Sequence, residues 1–220
     1  MNCINQTIKG IFLLGMSMCL SSNGWAEEEA FLVVNGCKLK PFASCPGADL
    51  RNANLANLDL TGSDFNGADF SGADLRHVTL KNANLGKAQF KNANLARADL
   101  RHANARVANF DNANLQAIQG WAIFAQVASF KNADLRGANL EFGRIAKAQF
   151  HDANLQAANL EMVWAPKTDF LRANMLNTNL QETKMYDANL QDADITGART
   201  FYAIFEGANM EGCTGCPLDW

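Results

Sequence analysis

The feature that most constrains this chain is a register of five. Reading every fifth residue from Leu50 gives Leu55, Leu60, Phe65, Phe70, Leu75, Leu80, Leu85, Phe90, Leu95 and Leu100, and the register runs without insertion to Met210. Two residues before each large apolar position stands a small one, as at Ala48, Ala53, Ala68, Ala73, Ala83 and Ala88, usually with Asp or Asn between them. The unit is therefore A-[DN]-[LF]-x-x. An α-helix repeats every 3.6 residues and a strand every 2.0, so neither fits a period of five as a continuous element. The small and large positions, two apart, point the same way as strand neighbours do, and the next two residues must turn the chain. Gly or Asn recurs at the second of these, at Asn52, Asn57, Gly62, Gly67, Gly72, Asn82 and Asn92, where a type II corner requires positive φ. The expected chain is a coil of short sides and corners.

The number of sides follows from the aromatic residues. Phe70, Phe90, Phe110, Phe130, Phe150 and Phe170 are spaced by twenty, so equivalent side chains recur every four units and each coil has four sides. Coils stacked at strand spacing, roughly 4.8 Å, place these six rings in one core ladder. With this unit and unbroken register, the chain resembles the pentapeptide repeat family. The resemblance covers residues 48–212, thirty-three units and slightly over eight coils. It implies an all-β fold, a right-handed, four-sided parallel β-helix. An open end coil would be an edge inviting other strands, so caps are expected at both ends: residues 27–47, with Phe31-Leu32-Val33-Val34 and the Cys37–Cys45 loop, and residues 213–220.

The first residues read differently. Lys9 precedes the apolar run Ile11 to Leu20, followed by Ser21-Ser22-Asn23 and Gly24-Trp25-Ala26. That is the order of a secretory signal peptide with small residues at its cleavage site, and the run is shorter than the roughly 20 apolar residues needed to span a bilayer. Residues 1–26 are expected to be removed after Ala26, giving a periplasmic or extracellular protein with no membrane span in the mature chain. Cleavage removes Lys9 and no acid, leaving 18 basic and 22 acidic residues, a charge of −4.

Cysteine usage agrees with export. Cys3 and Cys19 leave with the signal, and Cys37, Cys45, Cys213 and Cys216 remain, an even number suited to an oxidising compartment. The two pairs are separated by about eight coils, on the order of 40 Å at strand spacing, and cannot share a zinc ion. The expected disulfides are Cys37–Cys45 and Cys213–Cys216. The second pair has C-x-x-C spacing without the βαβ context of a redox site, so a small bridge pinning the cap is the preferred reading, with free thiols the alternative.

Charge and motifs exclude several classes. A net charge of −3 and a pI near 5.6 do not suit an ordinary nucleic-acid binder. His77, His102 and His151 fall at outward positions on three different sides, too dispersed for a metal site or an acid–base pair. No P-loop, G-x-S-x-G or G-x-G-x-x-G occurs. No enzyme activity, cofactor or metal is expected.

The informative places are departures from the repeat. A large core residue is missing at Ala105, Gly120, Ala125, Ala165 and Thr200, and Ile118, Ile123 and Val163 stand at small positions nearby, restoring volume. In the same coils, outward positions become aromatic or cationic: Trp121, Phe124, Phe142, Arg144, Trp164, Lys184 and Tyr186. Phe124, Arg144, Trp164 and Lys184 are twenty apart, so rings and cations should alternate along a surface ladder suited to cation–π contacts. That side carries six basic and three acidic residues, whereas the Phe-ladder side carries four and seven. The expected role is a non-enzymatic structural or protein-interaction scaffold of the bacterial envelope or exterior, docking an unknown protein partner or a second copy through this surface. The resemblance also suggests an alternative, a DNA-mimic binder of topoisomerase like the quinolone-resistance branch. That role needs a dense acidic surface and a cytoplasmic address, which this sequence does not display.

Overall fold

The computed structural model describes residues 31–217. The signal segment 1–26 and the last three residues of the expected C-terminal cap lie outside the described residues.

The description begins with a hairpin. Strand β1 (Leu32–Val34) pairs antiparallel with β2 (Cys37–Leu39), in the register Leu32 to Leu39 and Val34 to Cys37. Asn35 and Gly36 both have positive φ, the conformation a two-residue type I′ turn demands. Cys37 and Leu39 are buried in the same apolar cluster as Leu50, Leu55 and Leu60. The Cys37–Cys45 disulfide ties this hairpin to the start of the coil.

From Ser44 to Thr214 the chain contains 31 isolated parallel bridges, and each joins residue n to residue n+20. The bridging residues are five apart and fall into four ladders, begun by Ser44, Asp49, Asn54 and Asp59. Each twenty-residue coil therefore has four sides, each too short to bridge through more than one residue. Backbone bonds run between coils: Leu50 N donates to Asp69 O (2.8 Å) and Asp69 N donates to Ala48 O (2.9 Å). The pattern recurs with the same offsets along the chain, so the interior backbone is satisfied by neighbouring coils.

The corners close as type II turns. Ala53 N donates to Leu50 O, three residues back, and positive φ falls at the residue before the acceptor pair closes, here Asn52. Every fifth residue from Phe42 to Gly212 has positive φ. Gly and Asn fit this region, yet so do His77, Arg97, Val107, Val127 and Met162. The corner N–H of each such residue also donates to the next coil, as Val127 N does to Ala146 O at 3.0 Å, and this fixes a conformation the side chain alone disfavours.

Inside, the large positions from Leu50 to Ile195 are enclosed, with Leu50, Phe65, Phe70, Leu75 and Leu100 among them. Phe70, Phe90, Phe110, Phe130, Phe150 and Phe170 form one stack with successive centroids 4.6–5.1 Å apart, and Phe65 meets Phe70 edge-on at 5.2 Å. Where Thr replaces the small Ala, its hydroxyl finds a backbone acceptor: Thr168 Oγ1 donates to Ile145 O, Thr178 Oγ1 to Leu155 O and Thr183 Oγ1 to Leu160 O. Ile118, Ile123 and Val163 are buried beside Gly120, Ala125 and Ala165. A Cβ on Gly120 would meet Leu140 Cδ2 at 2.8 Å, so its neighbours occupy the vacated volume.

Candidate interaction surface

In the regular unit the outward Asp or Asn closes its own corner. Asn54 accepts the N–H of Ala56 (3.2 Å), Asp59 that of Thr61 (2.9 Å) and Asp69 that of Ser71 (2.9 Å), the local bond for which these short polar side chains are suited. Where the corner residue is Arg, the carboxylate also receives the guanidinium, as in Asp74–Arg76, Asp99–Arg101 and Asp134–Arg136. The Arg76 hydrogen bond holds the Asp74 carboxyl below its ordinary range. At Asp99 and Asp134 burial is the largest single influence and pushes upward, but the bonds from Arg101 and Arg136 together outweigh it.

Outward amides also link coils vertically. On the side that carries Phe124, Asn84 Nδ2 donates to Asp64 Oδ1 (2.8 Å) and Asn104 Nδ2 donates to Asn84 Oδ1 (3.0 Å). Above Asn104 the polar ladder stops. Asn104 bridges to Phe124, Phe124 to Arg144, Arg144 to Trp164 and Trp164 to Lys184, so the four residues do stand on consecutive coils of one side. None has a side-chain acceptor for its corner. The N–H groups of Gln126, Ala146 and Tyr186 lose that bond, and Pro166 has no N–H to satisfy.

Alternation of rings and cations is realised at one ring. Arg144 Cζ lies 5.6 Å from the Phe124 centroid and Arg106 Cζ lies 5.2 Å from it. Trp164 turns instead toward Tyr186, centroids 6.0 Å apart. Trp121 meets Phe142 edge-on at 5.5 Å, and His102 meets Trp121 at 4.8 Å. The rings thus run obliquely, from His102, Trp121 and Phe142 along one corner, through Trp164, to Tyr186 at the opposite corner. Rotation about the side-chain bonds lets rings reach a neighbour 19, 21 or 22 residues on, which a strict spacing of twenty does not anticipate.

Exposure concentrates here. Val107 (50%), Val127 (52%), Phe142 (43%), Met162 (38%) and Trp164 (47%) all border this side, as do Phe42, Phe201 and Tyr202 nearer its ends, eight of the nine exposed large apolar residues among those described. Val107, Val127 and Met162 lie outside the ladder and flanking residues that the spacing of twenty picks out. The signal for them is present, since each puts a bulky apolar residue at the corner position where Gly and Asn recur. Phe124, Trp121, Lys184 and Tyr186 are half-buried. The two corners differ in charge: Glu141 and Glu161 stand on the corner of Phe142 and Met162, Lys147 and Lys167 on the corner of Val107 and Val127. Glu141 and Glu161 accept from Asn159 (3.4 Å) and Asn179 (2.9 Å).

The remaining candidates stay apart. His151 Nε2 lies 2.6 Å from Asp169 Oδ2, His102 packs on Trp121, and His77 makes neither kind of contact among the described residues. Among the described residues no three His, Cys, Asp or Glu side chains gather as a metal site, and no helix is long and apolar enough to cross a membrane. Cys213 and Cys216 are bonded.

No curated protein matches the chain significantly. Among solved structures, similarity extends to HetL, a pentapeptide repeat protein involved in heterocyst differentiation regulation in the cyanobacterium Nostoc, at 26% identity over 78% of this chain and 84% of HetL, with a TM-score of 0.28. A pentapeptide repeat protein of the Arabidopsis thaliana thylakoid lumen is 30% identical over 49% of this chain and 71% of its own, TM-score 0.32. QnrB1, a plasmid-mediated fluoroquinolone resistance protein, is 15% identical over 77% and 92%, TM-score 0.42. The family profile for pentapeptide repeats matches eight copies over residues 43–82, 83–117, 128–170, 148–192 and 167–199. The stretch it skips, 118–127, holds Gly120, Trp121, Phe124 and Ala125. With more than half its residues matched and its bridges repeating every twenty, the chain belongs to the pentapeptide repeat family.

Proposed function

We propose that this protein is an exported, non-enzymatic interaction scaffold. Its coil is right-handed as in its family and capped at both ends, and it docks a protein through the side bearing Phe124, Arg144, Trp164 and Lys184. The observation that carries the reading is local sacrifice. Across four consecutive coils one side gives up corner hydrogen bonds worth about 0.5–1.5 kcal/mol each and exposes Val127, Phe142, Met162 and Trp164. A small core residue does not by itself demand these outward choices, because Asn104, beside Ala105, still closes its corner by accepting from Arg106 N at 3.4 Å. Trp, Tyr and Arg are the side chains that most often anchor interfaces, and a contiguous apolar patch on a soluble coil needs a partner to cover it.

The test is affinity capture from the envelope fraction with wild-type protein and with the Phe142→Ser/Trp164→Ser variant. A partner retained by the wild type and lost by the variant is the expected result. Capture of topoisomerase from whole lysate, undiminished by the variant, would overturn it in favour of the DNA-mimic reading. So would a large drop in melting temperature for the variant, since the rings would then be internal packing.

A further inference from the structure

Resting on the docking side proposed above, we infer that its occupant is a second copy of this chain, related by a two-fold axis parallel to the coil axis. Charge differs across the side. At the coil of residues 141–147 the side runs from Glu141 and Phe142 at one corner to Lys147 at the other, and at 161–167 from Glu161 and Met162 to Lys167. Both lysines are exposed and both corners lie on the same rungs.

A two-fold axis along the coil keeps height and exchanges left with right. It sets Glu141 near Lys147 of the second copy, Glu161 near its Lys167, and each reciprocally, with the carboxylates turning for this from the Asn159 and Asn179 amides of the adjacent side at 3.4 and 2.9 Å. One coil below, the same operation sets Trp121 against Val127, apolar on apolar. A two-fold axis across the coil would instead keep each corner facing its own kind, lysine on lysine. Isologous contact requires a self-complementary patch, and only the first operation finds one here.

Residues near the axis meet their own copies. Trp164 on Trp164 buries the largest exposed ring of the side. Arg144 on Arg144 is unfavourable in charge, but each guanidinium already lies over Phe124, and guanidinium is weakly hydrated and stacks readily. The match ends at the next coil, where Glu182 would face Asp187, so the contact spans the coils from residue 121 to 167. Three rungs at about 4.8 Å make a patch well below the usual 800 Å² or so per partner, and the association is expected to be weak, in the micromolar range. Strand addition plays no part, because the backbone on this side is already bonded between coils.

The experiment is sedimentation velocity of the full chain over a concentration series, with two charge-reversed variants, E141K/E161K and K147E/K167E. The wild type should dimerise reversibly, each variant alone should sediment as a monomer, and an equimolar mixture of the two should recover the dimer. Monomeric wild type at all concentrations overturns the second copy as occupant. So does a dimer that survives both reversals, or variants that fail to recover on mixing. Circular dichroism melts of both variants, expected to match wild type, separate lost association from lost folding. The envelope capture above reads the docking side itself, so a monomeric chain whose Trp164-dependent capture persists defeats this inference and leaves the proposed function standing.

Discussion

Phe124 lies beneath two guanidinium groups, Arg106 on one flank at 5.2 Å and Arg144 on the other at 5.6 Å, while its own edge is half-buried. It is therefore the foot of the aromatic side rather than its free face. Phe124→Ala should lose these cation–π contacts, about 0.5–1 kcal/mol each at exposed sites, along with its buried area. Trp164→Ser, at a ring 47% exposed whose aromatic neighbour among the described residues is Tyr186, should leave stability within about 0.5 kcal/mol of wild type. Urea melts of the two variants check the order, and a more damaging Trp164 change would reverse the assignment.

The corner valines should be worse for stability than what they replace. Val107 and Val127 hold φ near 61°, a region costly for a β-branched residue. Val127→Asn or Val127→Gly is expected to raise stability by about 0.5–1 kcal/mol and to weaken any docking through this side. Unchanged or lower stability would show that the valine packs usefully where it stands.

The core answers differently. Phe110 lies between Phe90 and Phe130, stacked at 4.7 and 4.9 Å, and has no solvent exposure. Phe110→Ala should cost about 3–5 kcal/mol, whereas Lys131→Ala, outward on the same side, should change stability by less than about 0.5 kcal/mol. Denaturant melts of both read this directly.

Acid should lower the protein's stability modestly through its exposed Asp–Arg pairs. Hydrogen bonds from Arg51 hold Asp49 down at about 2, and Asp74, Asp152 and Asp194 are lowered by bonds from Arg76, Arg172 and Thr196. A carboxyl whose folded pKa lies below its unfolded value of about 3.9 adds stability above that value and loses it as pH falls through the folded pKa. Urea midpoints should be flat from neutral pH to about 4 and fall from there toward 2. Arg76→Gln and Arg172→Gln together should make the fall shallower, and an unchanged slope would assign it to other groups.

Export is tested by mass. Expressed with its first 26 residues in a bacterium, the protein should be recovered from the periplasm beginning at Glu27 with both disulfides formed. An intact Met1 in the cytoplasm would place it in a compartment where the topoisomerase alternative becomes open again.

The coil was legible because its code is local. The small and large positions two apart, the corner after them and the spacing of Phe70 to Phe170 each state one rule, and the bridges from n to n+20 repeat those rules. The site was legible only in part, since which side carries it follows from position alone, whereas which rings touch depends on side-chain rotation. Trp121 reaches Phe142 and Trp164 reaches Tyr186 obliquely, and no spacing encodes that. Val107, Val127 and Met162 are not legible from the corner rule, which states only a preference for Gly and Asn, whereas the bonds between coils impose the left-handed conformation on whatever residue stands there. The hairpin at Asn35-Gly36 carries a turn signal of its own, outside the repeat.

The constant reach of the bridges sets how the chain can be assembled. Every interior pairing closes about the same short loop of twenty residues, so no late step must bring distant segments together, and loop closure of this length is fast. A polypeptide emerging amino end first would complete the hairpin and the Cys37–Cys45 bond before any coil exists. Each later coil would then find a finished template directly beneath it. Growth would proceed in one direction, at the pace of emergence, with a single unfinished rung at any moment.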